Sequence, residues 1–506
     1  MKPAPVSHES YQNFILLNLQ KYFSGSLLVI VKADWLVIYK LWITDLSYVS
    51  TWLIDSYSTK GPAPRDPSSM MRSYLLFLLT NPTIGITKWV DMLHRVPLYA
   101  ILSGFAPGDT PGVGTFYDFF SRIWGSQMPN TRPKIKQKRK KKNQKKKKTK
   151  KGEKVPAKTG IIRKLVDRFF KYGSKQKVLP SDKLFDFFQS QFLAVSSELG
   201  LLGNPSNFTV AGDATPIETA RYPRSKPTCE CYSLGITKCD HPRIYSQPDC
   251  NSGWDSSREK FFNGYHLYML SASDSHYDLP LYPRLNPASR HDSISLLASL
   301  NEFLQRSSLS AIDRILLDAA HDAMAIYELL NHLNIEPFID LNPRTKHNLS
   351  TACDIQISPK GVPICSSNLE MKSNGFDKSQ NRVKWRCPLA SGAKNTCTNP
   401  CSNATYGRTF HTFNEDNLRL FSEIPRSSKK WKDIYKRRSS VERSNKREKI
   451  DYHLEDGRHR STKMWTIRTY SVMMCQHIDA WYFHLHDSLL AANSSQFEDL
   501  QNSILA

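Results

Sequence analysis

Between Arg132 and Lys154 the chain carries fifteen Lys or Arg against a single Glu and almost no apolar residue. A run of that kind has nothing to bury, so it stays solvated and divides the foldable sequence in two. It supplies +14 of the formal net charge of +24, which leaves +10 spread over the other 483 residues. The basic character therefore belongs to the whole chain, and it points to a polyanionic partner. At 506 residues there is room for about three folded units of roughly 150 residues each. A small disulfide-stapled peptide is excluded.

A membrane span needs about 20 mostly apolar residues in a row. The best candidate, Leu27 to Ile54, is interrupted by Lys32, Asp34, Lys40 and Asp45, and reads as amphipathic core helices. Met1 to Ser10 lacks the charged-then-apolar layout of a signal peptide. The expectation is a cytoplasmic chain whose ten cysteines are free or metal-bound.

The first 130 residues show apolar stretches at helical spacing, such as Tyr74 to Leu79 and Trp89 to Leu102, broken by Pro62, Pro64, Pro67 and a Gly/Pro cluster from Gly104 to Gly114. They predict a helical N-terminal domain, followed by a lysine-rich linker over 131–160 that touches nucleic-acid phosphates without reading bases. Leu184, Phe188, Phe192 and Val195 share a helical face leading into the next unit. From Phe208 short β-type runs alternate with helical ones. Strands are expected at Phe208 to Asp213, Tyr265 to Ala272, Leu279 to Leu285, Ala311 to Asp318 and Glu336 to Leu341, and helices near Asp292 to Gln305 and Ala323 to Leu333. Three consecutive strands followed by two helix-linked ones give a mixed α/β sheet of ribonuclease-H-like order. It occupies 161–342 and resumes at 411–506, around a polar, Cys-rich insertion at 343–410.

Two carboxylates stand where strands end. Asp213 follows the apolar run Phe208 to Ala211, and Asp318 follows Ile315-Leu316-Leu317. Alone, an Asp in that position is more often a turn or helix cap than a metal ligand, and Asp322, four residues on, rivals Asp318. In the basic stretch Lys429 to Lys449, Tyr435, Arg438, Glu442 and Lys449 fall at offsets 0, 3, 7 and 14. At about 100° per residue these lie within an arc of roughly 60°, so one helix face would present a phenol, a guanidinium, a carboxylate and an ammonium. A surface ion pair between Arg438 and Glu442, worth about 0.2–0.5 kcal/mol, does not explain why the other two share the face.

This arrangement resembles the Tyr-(2)-Arg-(3)-Glu-(6)-Lys signature of bacterial insertion-sequence transposases of the DDE class, and the spacing agrees at all four positions. The stretches Trp254-Asp255-Ser256, Phe261-Phe262-Asn263-Gly264-Tyr265, Asp278-Leu279-Pro280-Leu281, Gly361-Val362-Pro363-Ile364-Cys365 and Arg386-Cys387-Pro388-Leu389 are similar to segments of one subgroup. The resemblance implies Asp213, Asp318 and Glu442 as catalytic acids holding two Mg²⁺ (or Mn²⁺) ions, with Tyr435, Arg438 and Lys449 gripping the DNA end. It also implies double-stranded DNA partners (terminal inverted repeats and target), a homo-oligomer assembled on DNA, and a bacterial, nucleoid-associated location. Two other functions fit the residues: a structure-selective nuclease on the same fold, and a non-catalytic DNA-binding descendant of a transposase.

Two sets of soft ligands have zinc-like spacing. One is Cys229-x-Cys231 with Cys239-x-His241, Cys250 lying nearby. The other, Cys365, Cys387, Cys397 and Cys401, lies in the insertion and is the expected structural zinc site, ordinary thiols being the alternative for both.

Overall fold

The computed structural model describes residues 1–24, 28–124, 132–134, 159–175, 178–219, 225–239, 241, 243–245, 247, 249–309, 311–344, 355–390, 397, 400–491, 501–502 and 504. The lysine-rich run beyond Lys134, with its expected phosphate contacts, lies outside them.

Six strands form the central sheet: β1 (Thr209–Glu218), β2 (Asn251–Asp255), β3 (Lys260–Ala272), β4 (Pro280–Pro287), β5 (Arg314–Leu317) and β6 (Glu336–Ile339). Long β3 pairs antiparallel with β1 along one edge, Asp213 opposite Met269, and with β2 and then β4 along the other. On the far side of β1, β5 is parallel to it and β6 is parallel to β5. The mixed sheet expected from the sequence is therefore present. Its β2 was not anticipated, and β3 begins five residues earlier than its apolar run, because pairing with β2 extends it as a solvent-facing hairpin. β5 reads Arg-Ile-Leu-Leu and is buried from Ile315 onward, as a short central parallel strand must be.

Among the described residues, seven α-helices precede the linker: α1 (His8–Phe23), α2 (Lys32–Ile43), α3 (Tyr48–Leu53), α4 (Pro67–Thr80), α5 (Ile86–Arg95), α6 (Pro97–Ser103) and α7 (Val113–Trp124). Asp66 caps α4 by accepting from the Ser68 and Ser69 amides at 3.3 and 2.8 Å, with Pro67 at the first helical position. Next come α8 (Ile161–Tyr172), α9 (Asp182–Phe188) and α10 (Ala194–Glu198), the last two joined by a π-turn. α11 (Asp292–Arg306) and α12 (Met324–His332) supply the crossovers to β5 and β6. After the insertion follow α13 (Lys429–Tyr435), α14 (Ser439–Ile450) and the 30-residue α15 (Thr462–Ala491).

α15 is buried over most of its surface because the N-terminal helices cover one side and the sheet the other. One continuous apolar core runs from Tyr11 through Tyr74 and Tyr268 to Trp481. The insertion has its own small core of Val362, Cys365, Met371, Val383 and Trp385. It is built on the antiparallel strands β7 (Lys372–Asp377), β8 (Arg382–Arg386) and β9 (Thr409–Phe413), so its returning strand runs three residues past position 410. Among the described residues no helix is long and apolar enough to cross a membrane.

Candidate active site

The parallel pairing of β1 with β5 sets Ala211 opposite Leu316. Continuing that register by two residues brings Asp213 level with Asp318, on strands whose axes lie about 4.8 Å apart. The two carboxylates act on each other. Burial, reinforced by the Asp318 charge, pushes the Asp213 carboxyl up to about 7. Asp318 moves the other way: burial opposes its charge, but a hydrogen bond from His321 and the nearby Arg438 hold it below the usual carboxylate range.

Asp318 is fixed by its surroundings. It closes β5 and caps the short turn Ala319–His321, where its Oδ1 accepts from the Ala320 amide at 3.2 Å and lies 2.5 Å from His321 Nδ1. His321 is fully buried, and its Nε2 lies 3.0 Å from Tyr268 Oη on β3. With Nδ1–H donated to Asp318, Nε2 accepts from the tyrosine. Gly212, beside Asp213, leaves room for this: a Cβ there would meet Tyr268 Oη at 2.7 Å and Leu317 Cδ2 at 3.1 Å. Sequence reasoning missed Tyr268, which reaches the site only through strand pairing. His321 carried a readable signal, three residues after an acid at a strand end.

The third acid arrives from above the sheet, where α14 packs across β1 and β3. The basic stretch is not one continuous helix. A 3-10 turn, Lys436–Arg438, separates α13 from α14, with Arg438 at the N-terminus of α14. Arg438 Nη2 donates to Glu442 Oε1 at 2.6 Å, its guanidinium lies 5.9 Å from the Tyr435 ring centre, and it acts electrostatically on both Asp213 and Asp318. One guanidinium thus hydrogen-bonds Glu442 and lies near enough to Asp213 and Asp318 for its charge to favour their ionised forms. Tyr435 stacks on Trp431 at 4.5 Å, and burial pushes its phenol up to about 12.

Lys449 is tied to a neighbour of its own. It pairs with Glu455 at 3.5 Å, near Arg258 and Asp255 at the β2–β3 hairpin. Seven residues of α14 carry it about 10.5 Å beyond Glu442 along the same helix face, while the 3-10 turn interrupts the 100° progression between Tyr435 and that face. Arginines of the basic stretch are mostly tied inward: Arg426 is buried and donates to the Ile339 carbonyl and to Tyr327 Oη, while Arg437 pairs with Asp274 and Arg443 with Asp278. The exposed cations are Lys429, Lys430, Lys432, Lys436 and Lys446, together with Arg443, which stays exposed while paired with Asp278.

Asp322, the rival to Asp318, is spent elsewhere. Its fully buried side chain accepts from Arg419 Nε at 2.6 Å, Tyr327 Oη at 3.1 Å and the Asn342 amide at 2.7 Å. It ties the segment after the insertion to the end of β6. Asp292, at the start of α11, adds a further negative charge felt by Asp213 and sits 3.3 Å from His266 Nδ1.

Among the described residues, one set of soft side chains is gathered at metal-binding distance: Cys229, Cys231, Cys239 and His241, whose ligand atoms all lie within 4.8 Å of one another. The expected set does not gather. Cys365 is taken into the apolar core of the insertion, Cys387 is buried against Gly407, and Cys397 Sγ contacts Ser367 Oγ at 3.2 Å.

No curated protein matches the chain as a relative. Residues 209–476, from the first residue of β1 into α15, match the family described as the transposase DDE domain. That span covers more than half of the chain and contains all three acids, and the protein belongs to the DDE transposase family.

Proposed function

We propose that this DDE transposase cleaves DNA at the ends of an insertion sequence and joins the freed strands to a target, using Asp213, Asp318 and Glu442 on a ribonuclease-H-like sheet. The strand order, with β3 antiparallel on one side of β1 and β5 then β6 parallel on the other, supports that fold. The observation that carries the reading is the register that sets Asp213 level with Asp318, with Arg438, bonded to Glu442 of α14, close enough for its charge to act on both.

The donor set fits a hard divalent cation. Burial, reinforced by the charge of Asp318, holds a proton on Asp213 near neutrality, and oxygen-only ligands suit Mg²⁺ or Mn²⁺. Asp213, Asp318 and Glu442 would hold the metal, whose chemistry when bound is to lower the pKa of an attacking water or 3′-hydroxyl and to stabilise the leaving oxygen. The remaining work falls to the chain itself. His321, braced by Tyr268, keeps Asp318 ionised and aimed. Arg438 neutralises the acids until a phosphate competes for its guanidinium, and that exchange would release Glu442. Tyr435, held on Trp431, borders the same cleft and would pack against the DNA end. Lys449 would contact the backbone nearer the β2–β3 hairpin, and the exposed lysines of α13 and α14 would hold phosphates without reading bases.

Purified protein given Mg²⁺ and DNA carrying the element's own termini should release the ends and produce joined strand-transfer products, both abolished by EDTA. Cleavage with no joined product would replace this reading with a hydrolytic nuclease on the same fold. No cleavage at all, with DNA still bound, would leave a binding protein.

A further inference from the structure

The connection from β1 to β2 contains a segment that ordinary packing does not explain. Within it Tyr232 and Leu234 are 79% and 73% exposed, and Ile236 is exposed too, so the loop buries no core of its own. Its order comes from a tight turn in which the Leu234 and Ile236 amides donate to the Cys231 carbonyl at 3.2 and 2.8 Å, with Gly235 at φ +76°. Yet four side chains from its two ends converge. Cys229 Sγ lies 3.5 Å from Cys239 Sγ, and Cys231 Sγ lies 3.3 Å from His241 Nδ1.

Three explanations can be weighed by distance and exposure. A disulfide needs sulfurs about 2.05 Å apart, far closer than 3.5 Å. Thiols that serve as small hydrophobes are buried, whereas these three are half-exposed and His241 is exposed. A tetrahedral ion with Zn–S of about 2.3 Å sets its sulfurs about 3.8 Å apart, so the observed separations need to open by only a few tenths of an ångström.

We propose that Cys229, Cys231, Cys239 and His241 bind one Zn²⁺ ion as a closed structural site. Three thiolates and an imidazole are a soft, four-ligand set with no position left for a reacting water, and binding would supply the folding energy that the loop's exposed apolar residues do not. The ion would also organise a neighbouring sheet. Arg243–Tyr245, just after His241, pairs with Ser225–Pro227, just before Cys229, and on its other edge with Arg132–Lys134. That last strand opens the lysine-rich run. The clip would therefore hold the base of the chain's most cationic segment against the catalytic unit, independently of the chemistry at the acids.

Full-length protein purified without chelators should contain about one zinc per chain by elemental analysis. The Cys229→Ser, Cys239→Ser double variant should lose it, and a Cys365→Ser, Cys397→Ser variant should keep it. Because the first variant could lose metal through misfolding, Co²⁺ exchange into the unaltered protein provides a second readout. It should give the strong visible bands and thiolate charge-transfer absorption of tetrahedral cobalt. Alkylation of Cys229, Cys231 and Cys239 by iodoacetamide should be blocked in the metal-loaded protein and fast after chelation. Only trace zinc with no tetrahedral cobalt spectrum, or full zinc retention in the Cys229→Ser, Cys239→Ser variant, would overturn the assignment.

Discussion

Asp213 and Asp322 are both carboxylates in the same unit, and their environments give opposite expectations when each is replaced. Asp213 is an acid whose folded pKa, about 7, lies above its unfolded value. Its cost to stability is absent below the unfolded pKa, grows as pH rises between the two values, and is full above pH 7. Asp213→Asn should therefore abolish strand cleavage while leaving the melting temperature at pH 8 unchanged or higher, the gain being roughly 1–4 kcal/mol at most. The same proton must leave before a cation can bind, so calorimetric titration with Mn²⁺ should show apparent affinity falling about tenfold per pH unit below 7, with proton release. Asp322→Asn removes one partner of a buried ion pair with Arg419 and should cost about 3–5 kcal/mol by chemical denaturation. If Asp322→Asn melts like the parent while Asp318→Asn collapses, the roles given to the two acids are reversed. Nothing in the local sequence separates these acids, because the arginine that decides between them is 97 residues away.

At the scale of elements, α14 carries a second carboxylate with a different burden. Glu448 is fully buried, and burial pushes it up to about 8 despite the opposing pull of Lys449. Its folded pKa is above the unfolded one, so it costs nothing at pH 4 and progressively more from pH 4.5 to 8. Glu448→Gln should raise the melting temperature at pH 9, by an amount corresponding to a few kcal/mol, and change it little at pH 4.5. An equal shift at both pH values would mean the effect is packing rather than charge. Elements closed by apolar runs were legible in the sequence: β1, β4, β5, α11 and α12 fall within a few residues of the stretches that announce them. The break at Lys436–Arg438 was not, since helical spacing counts residues and cannot register a 3-10 turn. The Cys365 set has ligand spacing, but the apolar core of the insertion claims Cys365 for packing, which only tertiary contacts disclose.

Across the whole molecule, the N-terminal helices are fastened to the acid-bearing part through Asp479 on α15. Lys40 of α2 pairs with it at 2.7 Å, Arg447 of α14 reaches it at 3.5 Å, and Tyr452 donates to it. Arg72 of α4 lies buried over the Tyr11 ring at 3.6 Å, and so is unavailable to DNA. Lys40→Met should therefore lower stability and slow cleavage together, although Lys40 lies outside the acid cluster; a loss of end-binding alone, with stability intact, would contradict the link. The most direct test of the account is single-turnover cleavage of labelled terminal DNA in Mg²⁺ by Asp213→Asn, Asp318→Asn and Glu442→Gln. Each should still bind DNA and cleave at least about a thousandfold more slowly, a loss of roughly 4 kcal/mol in transition-state stabilisation. Any one of the three cutting at the parent rate would contradict the claim that these acids form the catalytic centre.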